Sequence, residues 1–282
     1  MTVSTRPLKQ DLEQAHALAE QAGEVLLSWS GQLEQSDVGH KSAARDLVTA
    51  ADVASEKLIL AGLAELFPGQ AILAEESGSH PGVGSTGPRW CIDPLDGTVN
   101  FVHGLPMYAV SIARLDEHGQ PELAVVHLPR LQESYVAYRG GGAWCGERRL
   151  HVSPVETTEE AVLATGFPYR RHVLADNNLE NFQRLFLHQR GVRRMGSAAC
   201  DLAFVAAGKL DAFWELHLSP WDVAAGGLLV QEAGGVVETF RGKGSWVFDG
   251  NLLAGHAPVV EDMRQRLGAN RGPEWPDMGD RA

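Results

Sequence analysis

The chain has 282 residues, 44% of them hydrophobic and 21% charged, enough for one large core or two small ones. A formal charge of −12 argues against a basic nucleic-acid groove as the main working surface and suits a protein that gathers carboxylates. Cys91, Cys145 and Cys200 stand singly with no C-x-x-C spacing, and no signal-like N-terminus or bilayer-length apolar run is visible. Those features predict a cytoplasmic protein without disulfides, zinc or a membrane span, each cysteine serving as a small core residue.

In chain order, apolar residues at helical spacing (Leu12, Ala15, Ala19, Ala22, Leu26, Trp29) predict a first helix over 8–29, followed by a polar loop over 31–45. A second helix opens at Thr49 or Ala50 and stops at Pro68-Gly69. Strands are expected at 71–74, 89–92, 108–115, 122–127 and 134–138, the last three at the spacing of an antiparallel meander. Strand and helix then alternate: strands at 161–165, 211–216 and 251–254, and helices at 178–188, 197–207, 220–233 and 259–267. The reading is a mixed α/β chain with helices on largely antiparallel sheets. It forms one domain over 1–268, with sub-halves of about 1–150 and 151–268, and a frayed tail over 269–282.

The chemistry concentrates in Asp93-Pro94-Leu95-Asp96-Gly97-Thr98, at the end of an apolar strand. Two carboxylates flank a proline that fixes φ and offers no amide, which leaves the Leu95 carbonyl as a further hard oxygen. Gly97 permits close backbone approach, Thr98 has a hydroxyl to orient water, and both open a short helix, so a divalent cation and a phosphate could sit side by side. Glu75 follows the strand at 71–74, and Asp222 lies in the first turn of the helix begun by Pro220. Any one of these acids would ordinarily be a turn or cap residue. Their joint pattern, without histidine or cysteine, points to Mg2+ rather than zinc or copper. Gly82 to Gly87 matches G-x-G-x-x-G by letter, but Pro88 and a strand follow it, so it reads as a surface loop. His103 and His217 read as packing or surface residues, and Trp214 and Trp221 as core.

Asp93-Pro94-Leu95-Asp96-Gly97-Thr98-Val99-Asn100-Phe101 and Trp221-Asp222-Val223-Ala224-Ala225-Gly226 resemble the two signatures of the inositol monophosphatase family. Ala74-Glu75-Glu76-Ser77 and the segment from Asp46 to Asp52 add two further motifs, and the order holds from about residue 12 to 255. Phe167, in Gly166-Phe167-Pro168, resembles the bacterial branch, and Ala74 stands where glycine is common.

The resemblance implies a layered αβαβα sandwich, usually a homodimer, and a Mg2+-dependent, lithium-sensitive phosphomonoesterase. Carried over by position, it assigns Glu75, Asp93 and the Leu95 carbonyl to one Mg2+, and Asp93, Asp96 and Asp222 to a second. It gives the phosphate to the Gly97 and Thr98 amides, and the attacking water to Thr98, held by Asp52, together with Glu75. Gly196, Ser197, Ala198 and Glu215 match the segment that contacts polyol hydroxyls, with Asp96 beside it, and Lys41 matches a lysine on a mobile loop. Inositol monophosphate is the expected substrate. Histidinol phosphate, fructose 1,6-bisphosphate, 3′-phosphoadenosine phosphate and NADP are alternatives within the same chemistry. A regulatory role in binding transcription machinery is the alternative outside it. No membrane or direct nucleic-acid partner is expected.

Overall fold

A computed structural model describes residues 7–41, 47–83, 87–242 and 245–268. Asp46, Gly84 to Thr86 of the glycine-rich loop, and the expected tail lie outside the described residues. The long first helix, α1 (Leu8–Trp29), buries Leu12, Ala15, Ala19, Ala22 and Leu26 along one stripe and packs beside α2 (Ala50–Leu66). Thr49 caps α2: its hydroxyl accepts from the Ala51 and Asp52 amides, and Asp52 accepts from the Thr49 amide. The span expected as plain loop holds a 3-10 turn at Gln35–Asp37 and β1 (Val38–His40), paired antiparallel with β2 (Leu47–Thr49). Three-residue strands carry too little alternation to be read from sequence.

Next come β3 (Ala71–Ala74), β4 (Gly78–His80), β5 (Arg89–Asp96), α3 (Thr98–Val102), β6 (Ala109–Leu115), β7 (Pro121–Leu128), β8 (Glu133–Tyr138), β9 (Gly142–Cys145) and β10 (Arg148–Arg149). They build an eight-stranded sheet in the order β10-β9-β8-β7-β6-β5-β3-β4, antiparallel except for β3 beside β5. The second half runs β11 (Val162–Thr165), α4 (Leu179–Phe186), β12 (Gly191–Arg193), α5 (Ala198–Ala206), β13 (Ala212–Leu216), α6 (Pro220–Glu232), β14 (Val236–Glu238), α7 (Trp246–Asp249), β15 (Asn251–Gly255) and α8 (Ala257–Gly268). Its five-stranded sheet has the order β12-β11-β13-β15-β14. Here β11 is parallel to both β12 and β13, because α4 and α5 carry the chain back across the sheet. The small sheet is therefore mixed rather than mainly antiparallel.

Strand alternation decides the layers. On β6 and β7, Val110, Ile112, Leu123 and Val125 face α1 and α2, while Ala109, Ala113, Ala124 and Val126 face α5 and α6. On β13 and β15, Phe213, Leu252 and Ala254 face that same central helix pair, and Trp214 and Leu253 face α4 and α8. The result is an αβαβα sandwich whose middle helix layer is buried on both sides. Cys91 and Cys200 are buried and Trp214 is in the core as expected, whereas Cys145 and Trp221 are only half-buried.

Candidate active site

Sequence ends the strand before Asp93 at Ile92, but β5 continues to Asp96 with its register against β6 slipping between Asp93 and Asp96. The cause is local. Pro94 has no amide to give the ladder, its carbonyl accepts from Ser55 Oγ of α2 at 2.9 Å, and the Leu95 amide turns back onto Asp93 Oδ1 at 2.9 Å. Such a bulge re-aims side chains while keeping them on a rigid strand. Gly97 follows at φ +98° and starts α3.

The acids are held by different partners. Asp96 Oδ2 accepts from Ser197 Oγ at 2.7 Å and from the Ala199 amide at 2.6 Å, which ties β5 to the first turn of α5. Asp52 takes the Thr49 hydroxyl on Oδ2 at 2.6 Å and lies 3.1 Å from Thr98 Oγ1 through Oδ1. Thr98 Oγ1 is also 3.2 Å from the Leu95 carbonyl, so its one proton has two acceptors within reach. Asp222 accepts from the Ser219 amide at 2.6 Å in the capping box of α6. Lys41 Nζ bridges Glu75 at 2.7 Å and Glu76 at 2.5 Å.

These carboxyls depart from ordinary acidity. Burial, then the charges of Glu75, Asp96 and Asp222, lifts Asp93 well above the usual carboxylate range. Asp222 is raised by burial and then by Asp96 and Glu75. Asp96 is pushed up to about 6 by burial, against the Ala199 and Ser197 hydrogen bonds. Asp52 likewise reaches about 6 by burial, against its Thr49 bonds. Lys41 loses some basicity to burial but gains more from Glu75 and Glu76, and ends above the ordinary lysine range.

Among the described residues, no three acidic, histidine or cysteine side chains are gathered at ion-holding distances. The donor set nonetheless fits a hard divalent cation. It offers carboxylate and carbonyl oxygens only, and burial with mutual repulsion raises acids that a cation would return to their charged forms.

Asp96 and Asp222 share a pocket with Gly196, Ser197, Ala198 and Glu215, so residues far apart in sequence line one cavity. Glu215, at the end of β13, is pushed up to about 8 by burial, with Arg194 opposing and Asp96 adding to the rise. Phe167 lines the same pocket. Sequence missed Arg194 and Asp201, which also line it, and Asn100, whose amide donates to the Met107 and Met195 carbonyls and so fixes the approach to Gly196. Asn100 lies inside the motif that runs from Asp93 to Phe101. Arg194 and Asp201 flank the Gly196–Ala198 stretch, but nothing in their own letters marks them. His103 is exposed, whereas His217, read from sequence as a packing or surface residue, is half-buried and lines this pocket.

The family model for the inositol monophosphatase family matches residues 8–269. The chain belongs to that family. A "Nus factor SuhB" of Pseudomonas aeruginosa is 46% identical over 248 residues, covering 87% of this chain and 91% of that protein. An "Inositol-1-monophosphatase" of Mesorhizobium japonicum is 42% identical over 241 residues, covering 86% and 90%. The structure of extragenic suppressor protein suhB from Bartonella henselae superposes with a TM-score of 0.86 at 37% identity, over 93% of this chain and all 100% of that one. Membership in the inositol monophosphatase family makes the chain one of a group of phosphomonoesterases, with the sandwich that the layers describe. No helix of the described residues is long and apolar enough to cross a membrane.

Proposed function

We propose that this family member hydrolyses the phosphate monoester of a small polyol, with inositol monophosphate the first candidate. The observation that supports it is the one pocket that Asp96 and Asp222 line together with Glu215 and Gly196–Ala198. A phosphate near the carboxylates would leave its alcohol against Glu215.

Glu75, Asp93 and the Leu95 carbonyl would hold one Mg2+, and Asp93, Asp96 and Asp222 a second. Bound there, the metal supplies Lewis acidity toward phosphate and lowers the pKa of a water. The chain's own groups do the rest. With its proton given to Asp52, Thr98 Oγ1 keeps lone pairs that accept from a water and orient it, and Glu75 accepts a proton from that water. The amides of Gly97 and Thr98, at the start of α3 and outside its intrahelical ladder, would donate to the phosphate oxygens. Lys41 offsets the charge of Glu75 and Glu76. Burial holds Glu215 above the ordinary carboxylate range, and its two carboxyl oxygens are the groups that would meet the substrate hydroxyls.

Asp96→Asn should cut turnover by about a thousandfold or more, on the scale of losing a charge-stabilising group, while the circular dichroism stays native. Near-normal turnover sinks the reading. A kcat/KM panel over inositol monophosphate, histidinol phosphate, fructose 1,6-bisphosphate, 3′-phosphoadenosine phosphate and NADP at fixed Mg2+ names the alcohol, and equal poor rates on all would overturn the polyol choice.

The name "Nus factor SuhB" on the Pseudomonas aeruginosa relative favours a second reading, in which the same fold also binds transcription machinery. Retention of RNA polymerase by the Asp96→Asn protein in a pull-down supports that role independently of catalysis.

A further inference from the structure

One buried residue outside the catalytic turn makes more polar contacts than its place in the fold requires. Asn178, just before α4, is fully buried and sits at φ +72°, a left-handed conformation that glycine would adopt without strain. Its side chain is what the position uses. The amide nitrogen donates to Thr165 Oγ1 at 2.9 Å and to the Gly166 carbonyl at 2.6 Å. The amide oxygen accepts from Trp214 Nε1 at 2.9 Å and from Asn181 Nδ2 at 3.0 Å. Thr165 Oγ1 closes the circuit by donating to the Trp214 carbonyl at 2.7 Å. Both hydrogens and both lone pairs of one carboxamide are therefore spent at a position closed to bulk solvent.

The circuit ends at the substrate pocket. Thr165 of β11 pairs with Trp214 of β13, and each is followed by a pocket residue, Gly166 and Glu215. These two are in such close approach that a methyl group on Gly166 would overlap the Glu215 carboxyl. The separation between the Gly166 backbone and β13 thus sets where the Glu215 carboxyl is aimed, and Asn178 is the group bonded to both.

We propose that Asn178 is a positioning residue for the alcohol side of the pocket, clamping Gly166 and Trp214 so that Glu215 meets the substrate hydroxyls in one orientation. The inference rests on the proposed reading that Glu215 contacts the alcohol. It adds a selectivity determinant that itself never touches substrate.

The test uses Asn178→Gly, which keeps the left-handed turn and removes the carboxamide. The readout is the ratio of kcat/KM for inositol monophosphate to that for p-nitrophenyl phosphate, whose alcohol has no hydroxyls to recognise. The ratio should drop roughly tenfold, mainly through KM for the polyol ester, as expected when a hydrogen-bonding site is misaimed. If Asn178→Gly does not fold, the near-isosteric Thr165→Val breaks the same circuit and should lower the ratio in the same direction. Glu215→Leu, which keeps the volume and removes the hydrogen-bonding group, separates the two readings. An unchanged ratio in that variant overturns the pocket assignment and this proposal with it. A lowered ratio there, with an unchanged one in folded Asn178→Gly or Thr165→Val, overturns the positioning role alone. Placed in the Glu215→Leu background, Asn178→Gly should cause no further fall, and an additive loss would mean that it acts elsewhere.

Discussion

Gly97 shows how much one backbone position carries. Its φ of +98° is open to glycine at no cost, and a Cβ there would stand 2.9 Å from the Met107 carbonyl oxygen. Gly97→Ala must therefore accept a strained dihedral and push against backbone. A loss of about 1–3 kcal/mol in urea unfolding is expected, with activity falling further because Thr98 moves with the turn. Stability within a few tenths of a kcal/mol of wild type would contradict the geometry. At this scale the sequence was informative: Asp93, Asp96, Gly97 and Thr98 are neighbours, so their chemistry is legible from spacing. Arg194, Asp201 and Asn178 were not legible, since their meaning depends on strands and helices remote in sequence.

Between elements, the contact of α1 with β7 carries a pH-sensitive group. His127 on β7 hydrogen-bonds Ser134 Oγ through Nδ1 at 2.8 Å. Burial lowers its pKa below the usual 6.5; Glu20 on α1 acts to raise it and His16 on α1 to lower it further. Because the folded value is the lower one, this histidine's share of stability is fully present above pH 6.5 and is lost as the pH falls toward the folded pKa. Thermal melts at pH 7.5 and 5.5 should show a smaller acid-induced drop in Tm for His127→Gln than for wild type. Equal drops would remove His127 from the account. The long amphipathic elements were readable because each buries one stripe, as α1 does with Leu12, Ala15 and Ala22. Three-residue strands such as β4, β12 and β14 exist because neighbouring strands offer them a ladder.

Across the whole molecule, the acids assigned to the cation come from β5, α6 and the turn after β3, so a cation bound among them would add to the packing and hydrogen bonds that already join the layers. Binding only the folded state stabilises it by mass action, about 2.7 kcal/mol at a hundredfold excess over Kd, which is several degrees of Tm for a chain of this size. Mg2+ titrated into metal-free protein should raise Tm by that order, and Asp93→Asn should lose the increment. Without Mg2+ that variant should melt no lower than wild type. Burial and the Glu75, Asp96 and Asp222 charges already disfavour the Asp93 carboxylate, and an amide oxygen can still accept from the Leu95 amide. Indifference of the wild-type Tm to Mg2+ would argue against a cation at this centre.

By itself the sequence determined what is local. Hydrophobic period placed the helices and long strands, proline and glycine shaped the 93–98 turn, and four motifs in order identified the family. Tertiary structure decided what depends on distance through space. It extended β5 through a bulge so that Asp93 and Asp96 are aimed from one rigid strand. It set Asp96 on the first turn of α5, and it brought Glu215 beside Asp222 in one pocket. The reason is the range of the forces involved. Dihedral preference and amphipathic period act over a few residues and leave a mark in the letters. Hydrogen bonds between layers and the burial of charge exist only once remote segments have packed together.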